Sequence, residues 1–322
     1  MRNHGPVPDV DTATFRLRVD GLVDTPLELS LDELRDGRFA AREELATLQC
    51  AGNRRADLIA VRDIPGEAPW GPGATGTAAW RGVALADVLA AAGPRAEATD
   101  IAFVGADTAA EADPPQRFAG SIPRLKAERR EVLLAWAMNG APLPPAHGAP
   151  LRVVVPGWIG ARSVKWLERV EVRAAPWDGH FQSTAYRLLP PGAEPAPGVG
   201  VELGEVAVNS DVLEPDDGAR GPAGRLEVRG YAFAGGERSV VRVDVSVDGG
   251  RTFVEAELLD DLGRWAWRLW RVEVELAPGE HELVSRAWDS AGGTQPERAA
   301  TVWNPKGYVN SPAARVRVVA AS

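Results

Sequence analysis

The sequence predicts two domains, an α+β domain over residues 1–200 followed by an all-β sandwich over residues 201–322. A chain of 322 residues is longer than one hydrophobic core usually organises. Residues 188–204, LLPPGAEPAPGVGVELG, contain four prolines and repeated glycines, which disfavour both a helix and a central strand. We place the linker there because helices and strands alternate before it, whereas strands alone are predicted after it.

Helical and strand patterns alternate in the predicted N-terminal domain. FRLRVDG is expected to form a strand, and LRVVVPG a buried strand that ends on a turn. SLDEL begins a helix because Ser30 and Glu33 have the spacing of a capping box. LADVLAAAG is predicted as a second helix that ends at Gly93, and EVLLAWAMNG as a third. These elements predict a mixed α+β domain.

The predicted C-terminal domain has the pattern of an all-β protein. RLEVRGYAF and SVVRVDVSVDGGRTFVEAEL alternate apolar with polar residues, and Asp248, Gly249 and Gly250 are the residue types that hairpin turns prefer. RWAWRLWRVEVELAPGEHELVSRAWDSAGG continues this alternation. Successive strands are separated by about ten residues, which is the spacing of a β-sandwich.

Charge and composition exclude several classes of partner. The net charge is −9, from 36 basic and 45 acidic side chains, so the molecule as a whole repels nucleic acid and anionic membranes. No apolar run approaches the roughly 20 residues that span a bilayer. Nothing before Arg2 has the pattern of a signal peptide, so we expect a cytoplasmic protein, or a periplasmic one if an export leader was trimmed.

Cys50 is the single cysteine of the chain, which restricts its redox and metal chemistry. One cysteine forms no internal disulfide and does not by itself build a zinc site, which usually takes four ligands. The sequence also has no CxxCH motif. We therefore expect neither a c-type haem nor a cysteine-ligated iron–sulfur cluster in this chain.

The surroundings of Cys50, in the segment TLQCAGNRRAD, leave two interpretations open. A lone cysteine is often a small buried hydrophobic residue. However, Arg54 and Arg55 follow shortly after it, and nearby positive charge favours a thiolate, the form that attacks electrophiles or binds soft transition metals. The residues alone therefore predict either a structural thiol or a thiolate that acts as a nucleophile or a metal ligand.

TLQCAGNRR resembles the molybdenum-binding segment of the sulfite oxidase family, and further segments resemble that family in the same order along nearly the whole chain. In that family the cysteine thiolate is a direct molybdenum ligand, so the resemblance implies that Cys50 binds the metal of a molybdenum–molybdopterin cofactor. The other segments are RNHGPVP, EVLLAWAMNGAPLP, HGAPLRVVVPGWIGARSVKWL, GYAFAGGERSVVRVDVSVDGGRTF, WAWRLW and WNPKG.

The resemblance also implies a set of substrate-binding residues. Sulfite is a small anion and needs fixed positive charge with forked donors. Arg55 and Arg2 match the family's anion-binding arginines, although either residue taken alone would be interpreted as a solvated surface charge. Trp70 is similar to a tryptophan of the pocket wall, and would otherwise be assigned to the core. Tyr186, in STAYR, matches a tyrosine near the reacting oxygen, and would otherwise be a half-buried ring.

Lys306 is a departure from the family pattern. Animal and plant sulfite oxidases resemble WNLRG where this sequence has WNPKG, which places Lys306 at the position of a third substrate-binding arginine. The positive charge is retained, but the bidentate geometry of arginine is not. Weaker sulfite binding or a somewhat different anion is one interpretation, and a solvated loop lysine is the other.

Cofactor binding calls for cations and backbone donors around the terminal phosphate and the ring edges of the pterin. The segment HGAPLRVVVPGWIGARSVK supplies both, and the N-terminal RNH adds to it. Without the resemblance, LRVVVPG would be interpreted only as a core strand, and His147 as a surface-loop histidine. The cofactor-binding residues that the resemblance implies are Asn3, His4, Cys50, Asp107, His147, Arg152, Ser163, Val164 and Lys165.

The function implied by the resemblance is the oxidation of sulfite to sulfate by oxygen-atom transfer, with electrons passed to an external acceptor such as a cytochrome. The implied fold is a molybdopterin-binding domain followed by an immunoglobulin-like dimerisation domain, and hence a homodimer. Two alternatives lie within the family, an assimilatory nitrate reductase-like enzyme and a sulfoxide-reducing enzyme. A third alternative is a non-catalytic two-domain binding protein.

Overall fold

The computed structural model describes residues 2–322, which group into two compact units. The first unit contains the chain through Ala51 together with Ala78–Gly204, and the second contains Gly52–Thr77 together with Glu205–Ser322. The segment after Cys50 therefore belongs to the same unit as the C-terminal part of the chain. The predicted division into residues 1–200 and 201–322 stays a prediction.

Short strands dominate the structure, and the α-helices are few and short. The α-helices are α1 (Leu31–Arg35), α2 (Arg55–Val61), α3 (Leu85–Ala92) and α4 (Arg124–Ala127). The strands up to residue 204 are β1 (Leu17–Gly21), β2 (Leu27–Leu29), β3 (Ala41–Gln49), β4 (Thr75–Ala84), β5 (Asp100–Ala109), β6 (Gln116–Pro123), β7 (Leu133–Met138), β8 (Ala141–Pro142), β9 (Arg152–Val154), β10 (Leu167–Arg173), β11 (Arg187–Leu188) and β12 (Val201–Glu202). The later strands are β13 (Asn209–Glu214), β14 (Ala219–Pro222), β15 (Gly224–Phe233), β16 (Val240–Ser246), β17 (Val254–Glu255), β18 (Glu257–Leu258), β19 (Arg268–Leu276), β20 (Gly279–Asp289) and β21 (Ala314–Ala321).

Two sheets organise the first unit around one hydrophobic core. One sheet has the strand order β2-β1-β10-β5-β6, in which β1 and β10 run parallel and the other neighbours antiparallel. The other has the order β3-β4-β7-β8, with β9 also paired to β7. Buried side chains from both sheets and from α3 form the core. The strands FRLRVDG and LRVVVPG are confirmed as β1 and β9.

The two helices with local start and stop signals are confirmed. Ser30 accepts a hydrogen bond from the backbone N–H of Glu33, and the Glu33 side chain accepts from the Ser30 backbone, so the capping box is complete at the start of α1. Helix α3 ends at Gly93, whose φ of 70° lies in the left-handed region that favours glycine.

The stretch EVLLAWAMNG, predicted as a helix, is strand β7 instead, and that prediction is wrong. Strand β7 pairs with β4, β8 and β9, and its residues through Ala137 are buried, so it reads as a continuous apolar run. A short run of this kind has no periodicity that separates a buried strand from a buried helix. Asn139 and Gly140, with φ of 51° and 77°, form the two-residue hairpin turn from β7 into β8.

The second unit is built on two sheets that share a core. The sheets have the orders β13-β15-β19-β18 and β14-β21-β20-β16-β17, and both contribute buried side chains to one hydrophobic cluster that includes Trp270 and Val243. The predicted hairpin turn is confirmed, because Gly249 and Gly250 have φ of 75° and 95° between β16 and β17. Within residues 2–322 no helix has the length and apolar character needed to traverse a bilayer.

Arg54 anchors the segment Gly52–Thr77 in the second unit. Its guanidinium, 4% exposed, lies 3.0 Å from Oδ2 of Asp211 and donates to the backbone carbonyls of Ser210 and Pro312. Asn310 in turn donates to the Arg54 carbonyl at 2.7 Å. Because the ion pair is buried, removal of Arg54 leaves an uncompensated carboxylate inside the protein.

Replacement of Arg54 by methionine should therefore destabilise the second unit by about 3–5 kcal/mol, since it leaves the Asp211 carboxylate buried without its cation. Burial already raises the pKa of Asp211, and Arg54 opposes that shift. The free energy of unfolding should be measured by chemical denaturation followed by tryptophan fluorescence.

The matched control is Arg271→Met, which removes an exposed arginine paired with Glu257 at 2.8 Å. An exposed pair of this kind contributes about 0–1 kcal/mol. Equal free energies of unfolding for the two variants would contradict the anchoring role of Arg54.

Candidate functional site

Cys50 directly follows strand β3. The end of this strand is held by a second segment of the first unit, around Ile159. Gln49 forms a parallel β-bridge with Ile159, and a Cβ added at Gly160 would lie 3.3 Å from the carbonyl oxygen of Gln49. The backbone of Cys50 thus lies beside the turn Gly160–Arg162, in the segment GWIGARSVK. The thiol is half-buried, so the structure favours neither of the interpretations of a lone cysteine over the other.

Arg55 begins helix α2 and is buried, with 3% of its surface exposed. Its Nε donates to the carbonyl of Lys306 at 3.1 Å, and its Nη1 donates to the carbonyl of Ala68 at 3.1 Å. Glycine is required on both sides, because a Cβ at Gly52 or Gly307 would lie 2.6 or 2.5 Å from the Arg55 side chain. The interpretation of Arg55 as a solvated surface charge is therefore wrong.

Lys306 lies in the loop after the 3₁₀ turn Ala299–Val302, and this loop is shaped by Asn304. The Asn304 side chain accepts from the backbone N–H groups of Lys306 and Tyr308 and donates to the Tyr308 carbonyl. Gly307, with φ of 58°, takes the left-handed conformation between them. The Lys306 ammonium is partly exposed and forms an ion pair with Glu67. It is therefore neither a fully solvated lysine nor a cation without a counter-ion.

The Glu67 carboxylate pairs with both Arg55 and Lys306 in the second unit. Its Oε2 lies 3.1 Å from Nη1 of Arg55, and its Oε1 pairs with Nζ of Lys306. The predicted pocket residue Trp70 is half-buried in the same segment, with its backbone N–H donating to Ala68. The sequence reasoning missed Glu67, because nothing local to GEAPW indicates a partner that is 239 residues away along the chain.

In the first unit the N-terminal RNH segment reaches Tyr186. The His4 ring is 2.7 Å from the Tyr186 hydroxyl through Nε2 and 2.7 Å from Glu111 through Nδ1. Arg2 also pairs with Glu111, at 3.2 Å. His4 stacks on Phe118 with ring centroids 5.1 Å apart. Tyr186 is 7% exposed, so it is buried rather than half-buried, and Glu111 is a second acidic partner that the sequence reasoning missed.

Lys165 ties the N-terminal segment to the predicted cofactor-binding residues. Its ammonium donates to the Asn3 side chain, to the Arg2 carbonyl at 3.2 Å and to the Ala146 carbonyl at 3.2 Å. It also lies 4.3 Å above the Trp166 ring. One ammonium group thus joins the N-terminal segment to the loop that contains Ala146.

Arg152 lies in β9 and organises the adjoining backbone. Its guanidinium donates to the carbonyls of His147 at 3.0 Å and Ser163 at 2.9 Å, and it stacks over the Trp80 ring. The Ser163 hydroxyl accepts from a backbone N–H of the same strand region, and the Val164 carbonyl accepts from Val153. The structure therefore brings the residues of HGAPLRVVVPGWIGARSVK together, as an anion-binding segment requires.

Charges in this cluster are incompletely neutralised. Burial lowers the pKa of Arg152 to about 10 and that of Lys165 to about 8, and it also lowers the pKa of His147. Burial raises the pKa of Asp107 to about 6. Oδ1 of Asp107 is buried without a hydrogen-bond partner among the described residues. Such groups are costly unless a ligand satisfies them.

These observations fit a bound molybdenum–molybdopterin cofactor. A phosphate would satisfy the cations Arg152 and Lys165, whose hydrogen bonds in the structure go to neutral acceptors. The donor groups of a pterin edge would satisfy the buried Oδ1 of Asp107. Cys50 is the one thiol available to a soft metal. No cluster of three or more metal-binding side chains occurs among residues 2–322.

Two protein-family models cover most of the chain. The first, described as an oxidoreductase molybdopterin binding domain, matches residues 4–181. The second, described as a Mo-co oxidoreductase dimerisation domain, matches residues 202–321.

Similar proteins are sulfite oxidases, nitrate reductases and a sulfane dehydrogenase. The chain is 45% identical to chicken (Gallus gallus) sulfite oxidase and 41% identical to mouse (Mus musculus) mitochondrial sulfite oxidase, with 96% and 98% of the chain aligned. It spans 69% and 60% of those proteins. A barley (Hordeum vulgare) NAD(P)H nitrate reductase is 38% identical over 99% of the chain and 38% of its own length. The solved sulfane dehydrogenase SoxCD of Paracoccus pantotrophus superimposes with a TM-score of 0.81 at 27% identity, over 95% of this chain and 76% of that chain.

Asp107→Asn should stabilise the cofactor-free protein above about pH 6. The carboxyl has a higher pKa folded than unfolded, so the folded state binds more protons between about pH 4 and 6 and the parent loses stability as the pH rises through that range. The loss should be on the order of 2–3 kcal/mol. Free energies of unfolding of parent and variant should differ little near pH 4 and diverge toward pH 6.

The control Asp32→Asn removes the same charge from an exposed position in α1 and should track the parent at every pH. If the free energy of unfolding depended on pH in the same way for Asp107→Asn and the parent, burial of the Asp107 carboxylate would not destabilise the folded protein. Cofactor content, measured by molybdenum analysis, should fall in Asp107→Asn.

Proposed function

Because this chain belongs to the sulfite oxidase family of molybdopterin-dependent oxidoreductases, we propose that it oxidises sulfite to sulfate and passes the electrons to an external acceptor. One observation supports an anionic substrate, the pairing of Arg55 and Lys306 through Glu67 in a single unit. Two cations in one cluster suit a small oxyanion.

The cofactor would be held by the first unit. Cys50 would supply a thiolate ligand to the metal, and Arg152, Lys165 and His147 would lie against the anionic and polar parts of the pterin. When bound, the cofactor supplies oxygen-atom transfer and accepts two electrons. The remaining roles belong to side chains that bind the anion, exclude water and move protons.

Arg55 would orient the anion because its guanidinium is already fixed by two backbone carbonyls and two glycines. A preorganised donor loses little entropy when the substrate binds. Lys306 would add a point charge, and Arg2 a second forked donor. Trp70 would provide an apolar surface beside the anion.

Protons must also leave the site, since oxidation of sulfite with an oxygen atom from water releases two protons with the two electrons. The chain from the Tyr186 hydroxyl through the His4 ring to Glu111 offers a route, with both contacts at 2.7 Å. Burial lowers the pKa of His4, so the neutral ring is favoured and can accept a proton at one nitrogen while donating at the other. Glu111 is half exposed, which places the end of the route at solvent.

The main alternative is reduction of nitrate, which the barley relative's name suggests for that protein. By the resemblance, the family's nitrate reductases differ at the positions of Tyr186 and Lys306, so a tyrosine and a cation there favour sulfite over nitrate. Oxidation of a sulfane substrate, named for the Paracoccus protein, and reduction of a sulfoxide are further members of the same chemistry. Purified protein should be assayed for sulfite-dependent dye reduction and, with reduced dye, for nitrate and sulfoxide consumption. Molybdenum analysis of the same sample separates an enzyme from a non-catalytic binding protein.

We propose a cytochrome as the physiological acceptor of the electrons. A one-electron acceptor would take the two electrons in separate steps. The compartment, cytoplasm or periplasm, stays a prediction and determines which cytochromes are accessible.

Cys50→Ser should abolish sulfite oxidation while the protein remains folded. A hydroxyl is a poor replacement for a soft thiolate on molybdenum. Turnover with dye as acceptor should fall at least about a thousandfold, which corresponds to roughly 4 kcal/mol at 1.36 kcal/mol per factor of ten. The free energy of unfolding of the cofactor-free variant should match the parent, because the thiol is only half-buried. Turnover at the parent rate would make Cys50 a structural residue.

We also propose that the second unit is an immunoglobulin-like sandwich and mediates homodimerisation. Its two sheets share a core, and the match to a dimerisation domain supports the pairing. Its surface carries the exposed apolar side chains Leu213, Val241 and Val254. Exposed apolar residues of this kind are candidates for burial in a two-fold interface.

Light scattering coupled to size-exclusion chromatography should report a mass about twice 34.3 kDa. The measurement should be made at micromolar concentration in moderate salt. A monomer under those conditions would remove the dimerisation proposal without affecting the assignment of the catalytic residues.

A further inference from the structure

Glu67 is positioned between two cations that the proposed function assigns to the substrate anion. One carboxylate oxygen lies 3.1 Å from the Arg55 guanidinium, and the other pairs with the Lys306 ammonium. Both oxygens are thus engaged, one by each cation. The Glu67 side chain is largely buried, so these are not screened surface pairs.

Arg55 does not need Glu67 to stay in place. The carbonyls of Lys306 and Ala68 hold two of its donor nitrogens from different loops. Gly52 and Gly307 enclose the side chain so closely that a Cβ at either position would clash with it. Its Cζ also lies 5.2 Å from the centre of the Tyr308 ring. Removal of the Glu67 charge therefore leaves the guanidinium where it is.

The backbone of Lys306 is held by its neighbours, whereas its side chain is a flexible four-carbon stem that ends in an ammonium group. Asn304 and Gly307 define the loop conformation, and Glu67 is the acceptor that the structure shows for the ammonium within residues 2–322. An ammonium is a compact charge without the forked geometry of a guanidinium. It can therefore turn from the carboxylate to a bound anion without a change in the backbone.

We infer that Glu67 is a specificity-determining counter-ion that lowers the affinity of the Arg55–Lys306 cluster for doubly charged anions. Two cations and one carboxylate give the cluster a net charge of about +1 instead of +2. This inference rests on the proposed function only for the identity of the natural anion. The carboxylate repels any bound anion, and it repels a dianion such as sulfate about twice as strongly as a monoanion such as nitrate.

The test is a comparison of anion binding by Glu67→Gln and by the parent holoenzyme. Glutamine keeps the shape and one acceptor oxygen but removes the charge. Sulfate and nitrate should be titrated by calorimetry, and sulfate should also be measured as an inhibitor. At low ionic strength the sulfate affinity of Glu67→Gln should rise about ten- to a hundredfold, and its dependence on salt should steepen.

The charge of the probe separates a counter-ion from a positioning residue. Coulomb energy is proportional to the charge of the ligand, so the logarithm of the gain for sulfate should be about twice that for nitrate. Replacement of a residue that merely positions Lys306 would weaken the binding of both anions, because the ammonium would no longer be held at the site, so the direction of the change separates the two roles. Unchanged or weaker sulfate binding by Glu67→Gln would overturn the inference.

A second variant tests whether Glu67 acts through its charge. In the double variant Glu67→Gln/Lys306→Met, Arg55 is the one charged group left in the cluster. The net charge of the cluster is therefore about +1, as in the parent. The sulfate affinity of the double variant should therefore lie within about threefold of the parent, whereas Lys306→Met alone should bind sulfate more weakly than either. A double variant as weak as Lys306→Met would show that Glu67 does not act through its charge.

Glu257→Gln is the matched control, since it removes one carboxylate from an exposed pair with Arg271 in the same unit. It should leave sulfate and nitrate binding unchanged. The calorimetric titrations do not depend on turnover. If the variants bind sulfate as described but the parent does not oxidise sulfite, the proposed function is refuted and the role of Glu67 is retained. If the parent oxidises sulfite but Glu67→Gln does not bind sulfate more tightly, the role of Glu67 is refuted and the proposed function is retained.

Discussion

The buried ion pair between Arg54 and Asp211 is the interaction on which the candidate anion site depends. It fixes a segment that follows Cys50 directly in sequence into the unit formed by the C-terminal strands. Arg55 is the next residue, so its position is determined by the same anchor. Loss of the pair would leave the Asp211 charge buried, so we expect this connection to resist local unfolding. One peptide segment thereby supplies a thiol to the first unit and a fixed guanidinium to the second.

Local signals in the sequence predicted helices α1 and α3, but neither α2 and α4 nor strand β7. The capping box at Ser30 and the glycine at Gly93 act within one turn of chain, so they are visible without any tertiary context. Strand β7 is buried on both sides, and its apolar run has no period that separates a strand from a helix. The Asn139–Gly140 turn was the available signal, and it favoured a hairpin.

Of the groups in the candidate site, the resemblance implied the cations, the thiol and the Asp107 carboxylate, but neither Glu67 nor Glu111. Resemblance identified Arg2, Arg55 and Lys306 because they lie in recognisable segments. Glu67 and Glu111 lie in unremarkable loops. Each pairs with a cation distant in sequence, Lys306 and Arg2 respectively, and no local pattern joins Glu67 to the nearer Arg55. The pairing of Glu67 with the buried Arg55 depends on how the loops pack, and neither composition nor a local sequence pattern predicts that packing.

Each of the three cations assigned to the substrate is already paired with a carboxylate inside its own unit. Arg2 pairs with Glu111, while Arg55 and Lys306 share Glu67. Buried or partly buried positive charge is costly without a counter-ion, so a cluster built to bind an anion must be stabilised while it is empty. One carboxylate shared by Arg55 and Lys306 stabilises both cations but neutralises only one of the two positive charges. A net positive charge therefore remains to attract the ligand. The stability of the free site and its affinity for anions are therefore set by the same residue.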